Sequence, residues 1–442
     1  MYNIKKNFIN FWLSQLLSQL GSAVTSYALT LWVYSKSNLA FDISILSFCS
    51  FVPYIIGSFI AGTFIDRYNK KYIIFIVDTL AVIGTIFTLL LISLNQLTVI
   101  FISIINIVIG FANAFQIPAV TVVTERLNTS ENYTKASGML SFSDALIFSF
   151  SSAIATILYK TIGIEYILII DIVTYFLANI ILIFFINIPR DINEFNYEEE
   201  SFFNFIKDTK EGFSFIFSNK ALFKIIFSMC LMNFFSHITY ENILPAMIIS
   251  RSNSEYILGI VNIFIGIGGI LGGFIVSIRK LKGNMAYTMY FFLGITFLFG
   301  DLSMAFGRNL YSWIPAAIFA SFPIPFIIAS QRSIIYTHVP KNKQGRIFAT
   351  KNAIQHCLIP VGILLGGYLA DNIFEPLIVY GNSDFGKFLF NLFGATHGAG
   401  MATMFFITGI LGFLFSIYML TNKDVIKLGN ILLLQIVAKD FV

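Results

Sequence analysis

Long apolar runs alternate with short polar breaks along the whole chain, and the runs are too long for strands. Those of membrane length fall at 8–34, 43–64, 72–94, 98–124, 137–160 and 164–188. After a polar interval at 189–220, a second set falls at 221–249, 256–278, 285–307, 311–337, 346–372 and 396–420. A helix needs about 20 predominantly apolar residues to cross about 30 Å of hydrocarbon. In lipid each segment must satisfy its own backbone N–H and C=O groups, which selects helix over an open strand. The pattern therefore predicts an all-α integral membrane protein, with twelve transmembrane helices in two six-helix bundles. The expected division is an N-terminal bundle at 1–188, a linker at 189–220, and a C-terminal bundle with a tail at 221–442. In the linker, Phe202, Phe205, Ile206 and Phe213 recur at near-helical spacing among Glu199, Lys207, Lys210 and Glu211. That spacing predicts an amphipathic helix lying on the membrane surface.

Composition agrees. The 442 residues are 57% hydrophobic and 12% charged, with a mean hydropathy of +0.80, whereas soluble domains carry about 25% charged residues. The net charge of +5 is scattered among loops and forms no basic stripe, so nucleic acid is not an expected partner. The three cysteines, Cys49, Cys230 and Cys357, each lie inside an apolar run without Cys-x-x-Cys spacing. They read as buried packing thiols, with no metal or disulfide framework. The run from Phe8 to Tyr34 follows Lys5 and Lys6 but is too long for a signal peptide, so it is expected to be a retained first span. No Gly-x-x-x-x-Gly-Lys-[Ser/Thr] loop, His-Glu-x-x-His or Ser/His/Asp constellation is present. No cofactor, metal or enzymatic activity is expected.

Of the 28 Lys and Arg residues, all but Lys36, Lys160, Arg251, Arg308 and Lys387 fall on one side of the predicted topology. By the positive-inside rule that side is cytoplasmic and holds both termini.

The connection between spans two and three reads Gly62-Thr-Phe-Ile-Asp66-Arg67-Tyr-Asn-Lys70-Lys71. Gly273 to Lys280, after span eight, echoes it with Ser277 in place of the acid. Internal halves of this kind mark repeat-built secondary transporters. The turn fits Gly-x-x-x-Asp-Arg-x-x-[Arg/Lys]-[Arg/Lys], and with the twelve-span layout the chain resembles the major facilitator superfamily. It is similar, more narrowly, to the bacterial macrolide-efflux-like drug exporters of that superfamily. Trp12, Gln15 and Ser18, Pro118-Ala119, Ile169-Ile170-Asp171, Lys210-Glu211-Gly212, Val339-Pro340 and Gly345-Arg346-Ile347-Phe348 carry this narrower likeness. Span five departs from it, reading Phe148-Ser-Phe-Ser-Ser-Ala153 where exporters carry Gly and Pro.

The resemblance implies alternating access in a bacterial cell membrane, with Gly62, Asp66, Arg67, Lys70 and Lys71 forming a cytoplasmic latch. Asp66 would cap the N-terminus of span eleven near Gly345, where a carboxylate gains about 0.3–1 kcal/mol from the helix dipole. Arg67 would clamp another acid bidentately. The alternative is that these charges only mark topology, above all for Lys70 and Lys71.

Ionisable groups inside spans cost about 2.5–3.5 kcal/mol on insertion scales, so each is a functional candidate. They are Asp78, Asp144, Asp171, His237, Glu241, Asp301 and His356. Glu241, near Pro245, and His237, one helical turn earlier on the same face, are the expected proton-coupling pair, and Asp144 is the further candidate, with a place in the latch as its alternative. An interfacial, hydrogen-bonded Glu241 is the competing reading. Asp78 and Asp171 fall on spans that are peripheral in the superfamily fold, so structural pairing is expected of them. Gln15, Gln19, Ser22 and Ser26 form one stripe on span one, and span four offers Asn106, Asn113 and Gln116. These and His356 are the substrate-cavity candidates, with helix–helix hydrogen bonding as the alternative. Gly268/Gly272 and Gly269/Gly273 read as small-xxx-small helix contacts.

The expected function is proton-coupled efflux of a lipophilic drug-like or peptide product. The expected partners are a small molecule, protons and the bilayer, and the expected state is a monomer. An importer of a nutrient or siderophore, and a non-transporting immunity or scaffold protein, are the rival readings.

Overall fold

The computed structural model describes residues 4–128, 130–187, 202–240, 242–278, 281, 283–339, 344–379, 384–394 and 397–430. The chain forms two compact units, Met1–Glu198 with Leu258–Ile263, and Glu199–Ile257 with Phe264–Val442. The described residues are helices joined by short turns, with no strand among them.

The first unit contains α1 (Ile4–Ser37), α2 (Ala40–Arg67), α3 (Lys70–Ser93), α4 (Val99–Arg126), α5 (Ser130–Thr161) and α6 (Ile164–Ile180). A π-helical turn, Ile181–Phe185, continues α6. Only Tyr68 and Asn69 separate α2 from α3. Asn69 caps α3, its side-chain oxygen accepting from the Lys71 backbone N–H at 3.0 Å, which satisfies one of the donors a helix start leaves unpaired. An apolar core holds that turn in place. Phe8 and Phe11 of α1, Ala61 and Ile65 of α2, Ile73 and Ile74 of α3, and Val123 of α4 pack there with Leu182.

The second unit contains α7 (Phe202–Ser218), α8 (Lys220–Thr239), α9 (Ile243–Ser252), α10 (Glu255–Ile278) apart from its Leu258–Ile263 stretch, α11 (Met285–Ile295), α12 (Leu302–Phe306), α13 (Leu310–Ser321) and α14 (Ile324–His338). It continues through α15 (Gln344–His356), α16 (Ile359–Leu369), α17 (Glu375–Val379), α18 (Asp384–Phe393), α19 (Ala399–Thr421) and α20 (Lys423–Leu428). Its spans are interrupted more often than those of the first unit. Span seven breaks between Thr239 and Ile243. Span nine passes through the π-helical turn Thr296–Asp301, span ten breaks at Pro323, and span eleven passes through a π turn at Ala370–Phe374.

Ten helical stretches among the described residues are long and apolar enough to cross a membrane. With α1 and α5, of 34 and 32 residues, they make up the twelve spans. On α1 the cause of the lower hydropathy is visible. Gln15, Ser18 and Thr25 are buried inside the protein, so the helix carries polar groups that never meet lipid. Large apolar side chains such as Phe184, Ile100 and Tyr311 remain exposed on the outer faces, as hydrocarbon-facing surfaces require.

Two sequence expectations change here. Of the paired glycine contacts on α10, only Gly268 and Gly272 are pressed against a neighbour. A Cβ on Gly272 would collide with the Phe322 carbonyl, and one on Gly268 with Ser321 and Ile318. Nothing lies within 4 Å of a Cβ at Gly269, because that stripe points away from α13. The thiols change too. Only Cys230 is buried, and Cys357 is exposed. The two, 127 residues apart, meet with their Sγ atoms 3.8 Å from each other.

The 373–395 stretch, to which the sequence assigns no task, contains α17 and α18. Arg251 ties this region together. Its Nη1 donates to Ala305 O at 3.1 Å and Gly307 O at 2.7 Å, and its Nη2 donates to Phe393 O at 2.6 Å. These carbonyls belong to the last turns of α12 and α18 and the residue after α12, where helices leave acceptors unpaired.

Candidate functional site

The first unit encloses an open cavity of about 600 Å³ within the helices α1–α6. Drug-sized ligands occupy pockets of about 300–1,000 Å³ with mainly apolar walls and a few placed polar groups. Its walls fit that description. Phe51, Tyr54, Val82, Ile105, Ile109 and Tyr175 are among the apolar and aromatic lining, and a polar stripe crosses it.

That stripe starts on α1. Ser18, Ser22 and Thr25 follow each other at three- and four-residue spacing, the period that puts side chains on one helical face, and all three line the cavity with Gln19 and Ser26. From α4 come Asn106, Asn113 and Gln116. Of the residues named as substrate-cavity candidates, Gln19, Ser22, Asn113 and Gln116 border this cavity. Gln15 is buried beside the Asp78 carboxyl, which its amide faces without closing a hydrogen bond.

Two carboxyls also line the cavity, Asp78 of α3 and Asp171 of α6. Asp171 accepts from Ser22 Oγ at 3.2 Å through Oδ1 and from Thr85 Oγ1 at 2.9 Å through Oδ2. Three helices thus meet at one carboxyl. Gly21 allows the approach of α1, since a Cβ there would stand 3.0 Å from Asp171 Oδ1. Asp78 accepts from Gln116 Nε2 at 2.8 Å through Oδ1, while its Oδ2 is buried without a partner. The structural pairing expected of these acids is present, yet both also face the cavity, which the sequence reading missed. The signal available was a carboxyl in the middle of each of two largely apolar helices.

The other candidates lie elsewhere. His356 is on α15 in the second unit, its Nδ1–H donating to Asn352 O at 2.8 Å. His237 on α8 donates in the same way to Asn233 O at 2.8 Å. Asn233 Nδ2 in turn donates to Gln355 O at 3.1 Å, and Gln331 Nε2 to Gln355 Oε1 at 3.2 Å. A polar belt therefore links α8, α14 and α15 beside both histidines. Asp144 is exposed on α5. Glu241 lies outside the described residues, as do the side chains of Gly62, Asp66 and Arg67. Lys70 is buried. Lys71 Nζ donates to Ile183 O at 2.9 Å and Ile186 O at 2.8 Å, neutralising unpaired carbonyls at the end of span six within its own unit.

The second unit has a carboxyl node of its own. Asp301, fully buried on the π turn of span nine, accepts from Tyr240 Oη at 3.0 Å and Thr408 Oγ1 at 3.3 Å. Among the described residues no group of three or more His, Cys, Asp or Glu side chains is placed to hold a metal ion.

Twelve spans in two units, one enclosing a ligand-sized cavity with a membrane-buried polar stripe, define a polytopic membrane transporter. Residues 11–363 match the family model of the Major Facilitator Superfamily, and the chain belongs to that superfamily. It is a multi-pass membrane transporter and not an enzyme. Among curated proteins it is 24% identical over 379 residues to Macrolide efflux protein A of Streptococcus pyogenes, covering 84% of this chain and 91% of that one. Macrolide efflux protein A of Enterococcus faecalis is 23% identical over 326 residues, covering 72% of this chain and 98% of the relative. Among solved structures, a bacterial homologue of the lysosomal transporter Spinster superposes with a TM-score of 0.67 at 13% identity. That match covers 97% of this chain and 99% of the other. At that identity the likeness concerns the fold.

Proposed function

We propose that the chain is a secondary active exporter that moves a lipophilic, drug-sized molecule out of the cell by alternating access, in exchange for protons. The observation that carries this reading is the cavity of about 600 Å³ in the first unit, apolar in most of its wall and crossed by hydroxyls, amides and carboxyls. Such a wall suits cargo that partitions into lipid and is then oriented by a few polar contacts. The relatives named macrolide efflux protein support export over import, and macrolide-like compounds are the first cargo to test. Both termini lie in the cytoplasm in this reading, and the turn Gly62–Lys71 is the latch that must open once per cycle. Asp66 and Arg67 are its charged ends, with Lys70 and Lys71 beside them.

Proton coupling is assigned to Glu241 with His237, at the break that interrupts span seven between Thr239 and Ile243. A proton carried by Glu241 in the outward-open state competes with cargo and is released inward. Glu241→Gln in inside-out vesicles tests the assignment. Efflux driven by a pH gradient should fall to background while cargo binding persists, and undiminished pH-driven efflux sinks it. Direction is tested in whole cells. Expression should lower accumulation of the cargo, and an increase would favour an importer. Resistance that survives Asp66→Ala with no measurable flux would favour a non-transporting protein.

A further inference from the structure

We propose that Asp171 and Asp78 make the cavity of the first unit a binding site for the positively charged group of a lipophilic organic monocation. Three independent observations carry this. The first is charge: two carboxyls line one cavity, and no lysine, arginine or histidine among the described residues lines it with them. Two acids at membrane depth with no basic side chain beside them leave a cationic group of the ligand to supply the countercharge. The second is the set of unpartnered groups. Asp78 and Thr25 are about nine-tenths or more buried, at 5% and 6% exposed. Asp78 Oδ2 and Thr25 Oγ1 have no hydrogen-bond partner, although Thr25 faces the Asp171 carboxyl and both residues line the cavity. Buried polar atoms are left open in native proteins chiefly where a ligand, ion or water completes them.

The third observation is size and wall chemistry. An inorganic ion needs only a few oxygen ligands, whereas this cavity offers about 600 Å³. Its lining includes Phe51, Tyr54 and Tyr175, and aromatic ring faces attract organic cations. Asp171 is the better anchor of the two acids. Ser22 and Thr85 hold both of its oxygens, so its orientation is fixed before the ligand arrives, and little ordering remains to be done on binding. Asp78, with one oxygen held by Gln116 and the other open, is the second contact. Tertiary or quaternary amines with an apolar body are the natural ligand class. That such a ligand is exported cargo rests on the export reading above, whereas the binding itself does not.

The experiment uses the purified full-length chain in lipid nanodiscs and tritiated tetraphenylphosphonium, a permanent lipophilic monocation, with neutral triphenylphosphine oxide as a size-related competitor. Saturable binding is expected, displaced by unlabelled cation and not by the neutral compound. Asp171→Asn, which keeps the shape and removes the charge, should weaken binding by about tenfold or more. Asp78→Asn should weaken it by a smaller factor, and Asp301→Asn, which removes a buried carboxyl of the second unit away from this cavity, should stay within about threefold of wild type. Should Asp171→Asn fail to elute as a folded monodisperse species, Asp78→Asn carries the test. Absence of saturable cation binding in the wild type overturns the proposal. So does equal binding by the folded asparagine variants, or equal displacement by the neutral competitor. Failure of the export reading shows separately, as absence of cargo flux in energised vesicles while the charge-dependent binding persists.

Discussion

Asp301 offers the sharpest test of how polar groups hold this membrane fold together. It is fully buried, and two hydroxyls reach it, Tyr240 Oη at 3.0 Å and Thr408 Oγ1 at 3.3 Å. The two are not equivalent, because each hydroxyl has a single proton to donate. The Thr408 proton is contested within its own helix, where Met404 O stands at 3.1 Å and Phe405 O at 3.3 Å. Tyr240 lies at the break of span seven, and its hydroxyl is directed at Asp301 Oδ1. Tyr240→Phe therefore deletes the main donor. The ring stays, together with its edge-to-face contact with Phe405 at 5.2 Å between centroids, so the change isolates the hydroxyl.

Interhelical hydrogen bonds in a bilayer are worth about 0.6 kcal/mol on average and about 1.7 at most, whereas bonds to charged acceptors in soluble proteins reach about 1.5–3. For a carboxyl acceptor in this setting, Tyr240→Phe should cost about 1–2 kcal/mol. Thr408→Val, which keeps the shape and removes a hydroxyl largely engaged with its own turn, should cost less than about 0.5 kcal/mol. The measurement is equilibrium unfolding of the purified chain in mixed micelles titrated with a denaturing detergent, with both variants also made on Asp301→Asn. The Tyr240→Phe effect should shrink in that background. A larger cost for Thr408→Val than for Tyr240→Phe, or no cost for Tyr240→Phe, would refute the ordering of donors.

Two further predictions follow from packing. Gly268→Leu should destabilise the second unit by about 1–3 kcal/mol, the usual cost of overpacking, because the new side chain must displace Ser321 and the Ile318 backbone. Gly269→Leu, one position on and facing open space, should be neutral or slightly stabilising, and thermal unfolding of the two variants side by side reads the difference. Lys71→Met should remove the two donors to the end of span six and lower stability by about 0.5–1 kcal/mol. The same stability assay should show no such loss for Lys387→Met, whose exposed ammonium stands 3.9 Å from Asp384 Oδ1, a surface pairing worth little.

The fold was legible because lipid leaves the backbone few choices. Apolar run length alone placed the spans. The π turns at Thr296–Asp301 and Ala370–Phe374 were not legible, since one inserted residue per turn leaves hydrophobic periodicity almost unchanged. Part of the cavity lining leaves a trace of the same kind. On α1 and α4 the polar residues recur at the helical period, so Ser22 and Gln116 could be placed on inward faces. Asp78 and Asp171 were assigned by the usual position of their helices, and a cavity reaching as far as α3 and α6 leaves no trace in a period. The glycines show a related limit. Adjacent small residues at 268, 269, 272 and 273 define two stripes, and nothing in their spacing says which one meets α13. Cys230 and Cys357 touch because α8 and α15 pack together, a fact of tertiary structure with no counterpart in sequence distance.

The two buried carboxyl nodes follow one plan, and the plan separates structural from ligand-facing acids. In the first unit the acid sits on span six and its donors on spans one and three, Ser22 and Thr85. In the second the acid sits on span nine, the third of its set, and its donors on the first and sixth, Tyr240 and Thr408. A glycine brings the helices together each time, with Gly21 against Asp171 and Gly409 against Asp301. In both, hydroxyls contact the carboxyl, and a hydroxyl can donate or accept, so either node survives a change in the protonation of its acid. An arginine partner would instead fix the charge. What differs is access. Asp301 is wholly buried and ties the broken seventh span to its neighbours, so its removal should register as lost stability. Asp171 edges a ligand-sized cavity beside a second acid with an open oxygen, so its removal should register as lost cation binding. The same hydrogen-bond pattern thus serves as a clamp in one unit and as a prepared anchor in the other, and comparing Asp301→Asn with Asp171→Asn in both assays distinguishes the two roles.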